Sequence, residues 1–264
     1  MRAIPALLVL ALAVRPLGAQ LSVAEHNAAG DSAHATLNPE AALRHYQAAL
    51  AADSTNYEAL WKAGRATVDI AKQIEGDVDS LKKRRDSLYS QARAYGEAAV
   101  RADSSSAEGH FIIAQALGRL SRTRGGKERV RFAKIIYDEA SQAVQLDSSH
   151  DGAFHVLGAW NAEIRRLSGL QRFFAKALFG AGFMSQANWA DAQRHLERAV
   201  ALKPQNVFHH LELAEIYMDV GKFSAAREQL TTIATLPIGD VLDDEYKEDA
   251  VELLEEIKNE EDRT

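Results

Sequence analysis

Ala49-Leu50-Ala51-Ala52-Asp53-Ser54 closes a helical stretch and opens a polar turn. The phrase returns three times, as Ala99-Val100-Arg101-Ala102-Asp103-Ser104, Ala143-Val144-Gln145-Leu146-Asp147-Ser148 and Ala199-Val200-Ala201-Leu202-Lys203-Pro204. Ten residues after each Ser or Pro stands a small residue: Gly64, Ala114, Gly158 and Ala214. A unit of helix, turn and helix cannot bury its apolar face alone and must stack on its neighbours, so the repeat predicts a solenoid that offers a surface rather than a pocket.

Working outward, Asn38-Pro39-Glu40 carries an N-cap residue, a proline and a first-turn acid, and it starts the helix that ends at Ala52. That helix sets Ala42, Tyr46, Ala49 and Leu50 on one face. Sustained period-two alternation is missing, and glycine and proline fall at predicted helix ends, so no strands are expected. The expected organisation is a partial first helix or linker over residues 20–38, a repeat domain over 39–239 with an excursion at 167–187, and a capping helix over 240–264. The last segment holds twelve Asp or Glu against three Lys or Arg. A solvated acidic end of that kind keeps a solenoid soluble.

The absence of cysteine removes disulfides, thiol nucleophiles and thiolate metal sites. A net charge of −6 argues against a nucleic-acid backbone as partner. Arg2, the apolar run from Ile4 to Val14 and the small residues Gly18-Ala19 read as a secretory signal cleaved after Ala19, because about a dozen apolar residues fall short of the ~20 that span a bilayer; Leu17, larger than the small residue preferred at that offset, leaves an uncleaved anchor as the alternative. The expected location is therefore exported, periplasmic or secreted, with no transmembrane span in the mature chain.

The last copy, with Ala214, Tyr217, Gly221, Phe223 and Ala226, resembles a tetratricopeptide repeat. Spacings of 50, 44 and 56 residues between phrases exceed the usual period of about 34, so lengthened helices or excursions are expected. A more specific resemblance runs from about Ala107 to Ile257. It is carried by Gly125-Gly126-Lys127 leading into Lys134-Ile135-Ile136, by His155-Val156-Leu157-Gly158-Ala159-Trp160, by Leu167-Ser168 and by Ala177-Leu178-Phe179-Gly180, and it is to the regulator of microtubule dynamics protein family. The resemblance implies an all-α, right-handed superhelix of antiparallel helix pairs that binds protein partners without catalysis and, in a membrane-tethering member, lipids. Export would put microtubules out of reach, so the cytoskeletal role is not carried over at this stage.

In such a superhelix the first helix of each pair lines the inner face. The inward positions predicted from the turns are Glu58, Trp61 and Arg65; Glu108, Phe111 and Gln115; His155 and Ala159; and Phe208, Leu211 and Glu215. An aromatic or apolar centre line of Trp61, Phe111, His155 and Leu211 with polar flanks suits a peptide or an acyl chain, and the same side chains would equally serve to pack one repeat on the next. Leu170, Phe173, Phe174, Ala177 and Leu178 form an apolar stripe in the excursion, with Arg172 and Lys176 on another face, that would cover the domain's own core or rest on a membrane surface, and Leu170, Phe173, Phe174 and Phe179 would form a lid over the groove. Catalytic constellations are not visible. Gly125-Gly126-Lys127 fails as a phosphate loop, since Ser121 stands in place of the first glycine and Glu128 in place of the magnesium-binding hydroxyl. His45 with His195, and His110 with His210, occupy equivalent repeat positions, which points to packing rather than to a metal. The expected protein is a non-enzymatic scaffold for a protein or peptide, with carriage of a lipid or apolar ligand as the alternative, and it needs no cofactor.

Overall fold

The recurring phrase is a helix stop followed by a side-chain-locked turn. The Asp53, Asp103 and Asp147 amides each donate to the carbonyl of the preceding phrase alanine, Ala49, Ala99 or Ala143. Their carboxylates then accept from the backbone and hydroxyl of Thr55, Ser105 and Ser149, at 2.6 to 3.0 Å. These hydrogen bonds hold all three carboxyls below the usual range. The next helix starts on a cap: Asn56 accepts from Ala59, His150 Nδ1 from Ala153 and Asn206 from His209. A polar side chain on the residue just before the helix offers the backbone N–H three residues on the acceptor that the open helix end lacks.

A computed structural model describes residues 21–261 of the chain. The elements are α1 Val23–Ala35, α2 Pro39–Ala52, α3 Tyr57–Lys72, α4 Asp79–Ala102, α5 Ala107–Ser121, α6 Gly126–Leu146, α7 Asp151–Arg166, α8 Gly169–Phe179, a 3-10 turn at Ala181–Gln186, α9 Trp189–Leu202, α10 Val207–Asp219, α11 Phe223–Ile233 and α12 Asp243–Glu261. No strand occurs among the described residues. The helices pair as α1 with α2, α3 with α4, α5 with α6, α7 with α9 and α10 with α11, and each pair stacks on the next. The first helices α1, α3, α5, α7 and α10 also touch in succession, and α12 continues that row. The result is an all-α superhelix of tetratricopeptide type.

Small residues set the spacing. Ala42, Ala49, Ala92, Ala99, Ala140, Ala143, Ala192, Ala199 and Ala226 are fully buried along the second helices. A Cβ added at Gly64 would lie 2.7 Å from Ile112, and one at Gly158 would lie 1.6 Å from Leu196 and 3.1 Å from the Ala192 carbonyl. Gly96 and Gly109 face each other's helices at equally short range, 3.0 Å from backbone atoms. Gly221 differs: nothing stands near its missing Cβ, and a φ of 73° at the turn between α10 and α11 is what calls for glycine there.

Candidate functional site

Helical geometry puts Glu58, Trp61, Arg65 and Lys72 on one face of α3, and Glu108, Phe111, Gln115 and Arg119 on the matching face of α5. These faces run side by side in the row of first helices. Along that row the two ends of the helices differ.

At the carboxyl ends the face is covered by the chain itself. Lys72 Nζ donates to Asp240, at 2.9 Å, in the segment that joins α11 to α12, and it also pairs with Asp69 at 3.1 Å. Burial pulls the lysine pKa down, but the two carboxylates outweigh it and hold the ammonium above its ordinary value; Lys72 in turn lowers Asp240. Arg119 Nη2 donates to the Tyr246 hydroxyl of α12 at 3.2 Å, with its guanidinium 5.5 Å from the Phe208 ring centroid. Tyr246 stacks on Phe208, with centroids 4.6 Å apart and planes 17° apart, and is 7% exposed. Asp243, at the head of α12, caps the Gly239 and Asp240 amides. The acidic C-terminal segment therefore does more than close the stack. It crosses the inner row from α10 to α3.

This cover redistributes the residues predicted to form the binding face. His155, at 7% exposure, lies under Phe208, and its Nδ1 is 3.0 Å from that of His209, whose Nε2 meets Asp151 at 2.8 Å. Burial drives the His155 pKa well below the ordinary range, so the ring is neutral. Leu211, at 3% exposure, belongs to the core formed by α10, α11 and α12. Neither is open to a partner, and Phe208 is half-buried beneath Tyr246. Glu215 is engaged by Arg166 at 3.1 Å, and Arg166 also holds Asp219 at 2.8 Å. Beside them Glu212, 8% exposed, has its pKa pushed up to about 7 by burial and by Glu215.

The amino-terminal halves of α3 and α5 are not crossed by the C-terminal segment. Trp61 and Arg65 are half-buried, with the Arg65 guanidinium 4.9 Å from the Trp61 ring centroid. Phe111 packs against His150 at 4.6 Å, and Glu108 reaches the same histidine at 3.6 Å. Glu58 bonds Lys62 and Asn27, and Lys62 continues to Asp31 of α1. Arg65 Nε and Gln115 Oε1 are buried without a hydrogen-bond partner.

The stripe Leu170, Phe173, Phe174, Ala177 and Leu178 does not cover the core, as one expectation had it: none of α8 is buried, and its large apolar residues Leu170, Phe173, Phe174 and Leu178 stand at 48 to 67% exposure. Nor does the helix lie over the first-helix row. It meets α6 and the 3-10 turn, with Phe179 near Gly126. Its anchors are Ala175, packed on the central core, and Arg172, which donates to the carbonyls of Ile164, Arg165 and Leu167 at the end of α7. Periodicity displays the stripe but cannot say which way a helix with only one packed side turns it. No group of three or more metal-ligating side chains converges among the described residues, and no described helix is long and apolar enough to cross a membrane.

Known proteins place the fold and its family. A thermophilic tetratricopeptide-repeat protein of Thermus thermophilus superposes with a TM-score of 0.61 at 17% identity, over 87% of this chain and 98% of that one. PilF of Pseudomonas aeruginosa superposes at 0.52 and 14% identity, over 88% and 84%. At those identities the likeness is one of fold. By sequence, the regulator of microtubule dynamics protein 1 of Bos taurus is 26% identical over 203 residues, and protein 3 of Rattus norvegicus 26% identical over 195 residues. These matches take in 76% and 74% of this chain but only 62% and 40% of the relatives' own lengths.

The relatives correct one expectation. A periplasmic or secreted location conflicts with kinship to animal regulators of microtubule dynamics, and the apolar run and the Ala19 cleavage point on which it stood lie outside the described residues. The ground for setting the cytoskeletal role aside goes with it. The profile of regulator of microtubule dynamics protein 1-3 matches residues 27–258, nearly the whole described chain, and the protein belongs to that family.

Proposed function

We propose that this chain is a non-catalytic scaffold whose first-helix face, at the amino-terminal halves of α3 and α5, holds a segment of a protein partner. The observation that carries the reading is the pair of half-buried aromatic rings on that face, Trp61 beside the Arg65 guanidinium and Phe111 against His150. Partly exposed aromatic rings with charged and amide side chains around them suit a peptide that lays an apolar side chain on the rings and matches the polar rim. Glu58 and Glu108 at the edge would fix the charge register of that peptide. The face already accommodates polypeptide at its other end, where residues 240–246 lie across Lys72, Arg119 and Phe208.

Carriage of an apolar ligand along the same face is less well supported. The apolar groups at its carboxyl end are taken by Tyr246, and the stripe expected to act as a lid points elsewhere. Family membership makes a microtubule-associated protein the first class of partner to try.

The test places a photo-crosslinking amino acid at Phe111 and pellets the full chain with assembled microtubules and their associated proteins. A crosslinked partner that disappears in a Trp61→Ala/Arg65→Glu variant of unchanged helicity is the expected result. Crosslinks unaffected by that variant, or found only to residues of α12, refute the assignment.

A further inference from the structure

The helix α8 is an unpartnered amphipathic ridge. At 100° per residue, Leu170, Phe173, Phe174, Ala177 and Leu178 fall within an arc of roughly 140°. Four of these five are large, and they stand 66, 63, 48 and 67% exposed. The two aromatic rings meet edge to face at 5.7 Å, a small apolar cluster facing solvent. An exposed continuous apolar face of this kind on an otherwise polar surface marks an interaction site.

Charge identifies the occupant. From residue 164 to residue 190 the chain carries no Asp or Glu over 27 residues, although 37 acids are spread through its 264. The same window holds Arg165, Arg166, Arg172 and Lys176. Lys176 borders the apolar arc on the Phe173 side. Phe179 reaches the start of α6, next to the exposed Lys127. Arg166 is paired with Glu215 and Asp219, and Arg165, Arg172 and Lys176 leave the window locally cationic within a chain of net charge −6. No polar side chain interrupts the apolar face, so nothing on it would fix the register of a folded partner. The face belongs to a single helix with no buried residue, and no second element packs on it to form a groove. An exposed apolar face bordered by cations, with no acid in its own segment, matches the interface of an anionic bilayer, which conforms to any shape and asks for no register.

We propose that α8 docks on an anionic lipid bilayer, with Leu170, Phe173, Phe174 and Leu178 entering the headgroup boundary and Lys176 and Lys127 meeting lipid phosphates and carboxylates. The packing of Ala175 and the bonds from Arg172 to the end of α7 fix this ridge to the repeat domain, so docking would orient the whole superhelix on the membrane.

Because the chain has no cysteine, Leu170→Cys carries a single environment-sensitive fluorophore on the full chain. The probe is read with vesicles of phosphatidylcholine alone and with 30 mol% phosphatidylserine. The proposal expects a blue-shifted emission rise of threefold or more with the anionic vesicles, at least a tenfold weaker apparent affinity for the neutral ones, and a weakened response in Lys176→Glu. A label at exposed Val251 of α12 should stay unchanged, and Phe173→Asp/Phe174→Asp should abolish the response at unchanged helicity. A flat signal with anionic vesicles overturns the proposal. So does an equal response from the double aspartate variant, which would place attachment elsewhere in the chain, or a rise with protein concentration in the absence of lipid, which would mean that a second copy covers the ridge.

Discussion

Tyr246 holds the C-terminal segment against the first-helix row, and removing it should release that segment. A tyrosine at 7% exposure buries nearly all of the roughly 200 Å² an aromatic side chain offers, worth on the order of 4 to 5 kcal/mol by area. The stack on Phe208 adds about 1 kcal/mol. Partial collapse of α12 into the space recovers some of this, so Tyr246→Ala should cost about 3 to 4 kcal/mol. Tyr246→Phe keeps the ring and removes only the oxygen that accepts from Arg119, leaving a largely buried guanidinium donor unmatched, at about 1 to 2 kcal/mol. Urea unfolding followed by circular dichroism gives both differences. Hydrogen exchange read by mass spectrometry should show faster exchange over residues 236–261 in the alanine variant, with α2 and α3 little changed, because local opening precedes global unfolding where the contacts have been removed. A loss below 1 kcal/mol for Tyr246→Ala, or protection of α12 that does not change, would mean that the segment is held by α11 alone and that the cover over Lys72 and Arg119 contributes nothing.

Two glycines separate close approach from backbone conformation. Gly158→Ala forces fully buried Leu196 away from a methyl group at 1.6 Å and should cost about 1 to 3 kcal/mol, and adding Leu196→Ala should recover part of that penalty as a measured non-additivity; strict additivity would refute the contact. Gly221→Ala meets no atom but must hold φ at 73°, so about 1 kcal/mol is expected, with Gly221→Asn closer to wild type in the same thermal melts. Glu212 predicts a pH dependence. Between 4.5 and about 7 the folded chain keeps a proton that the unfolded chain has released, so the stability from this group falls as pH rises through that window, by up to ~3 kcal/mol. Glu212→Gln should therefore match wild type near pH 4.5 and exceed it at pH 8 by about 1 to 3 kcal/mol, the opposing contribution of neutral His155 cancelling in the difference; a difference that does not vary with pH refutes the buried, protonated assignment.

The helical class and the repeating unit were legible because their causes are local. Asp53, Asp103 and Asp147 stop helices through bonds made within two to four residues, Asn56 and Asn206 start them the same way, and Ala49, Ala99, Ala143 and Ala199 advertise a contact face by period alone. Gly64 and Gly158 could be picked out as close-approach positions because the repeat puts them in register. The family could be recognised from the ordered residues between Gly125 and Gly180. The candidate face was only partly legible. The spacing placed Glu58, Trp61, Arg65, Glu108, Phe111 and Gln115 on the first-helix row, but nothing local to His155, Phe208 or Leu211 tells that Tyr246 and α12 lie against them.

That contact depends on how far the superhelix turns over five helix pairs, a sum of many small packing angles that brings Lys72 to Asp240 across 168 residues of sequence. The outward turn of Leu170, Phe173, Phe174 and Leu178 is of the same kind. An amphipathic helix records that it has two faces, and only the shape of the surface beneath α8, which accepts Ala175 and Arg172 and leaves the apolar arc open, determines which of them meets water. Sequence by itself determined what each helix is, where it stops and which repeat it belongs to, because those follow from bonds and periodicities within a few residues; which faces stay free was decided by tertiary structure, because exposure is a property of what the rest of the chain leaves uncovered.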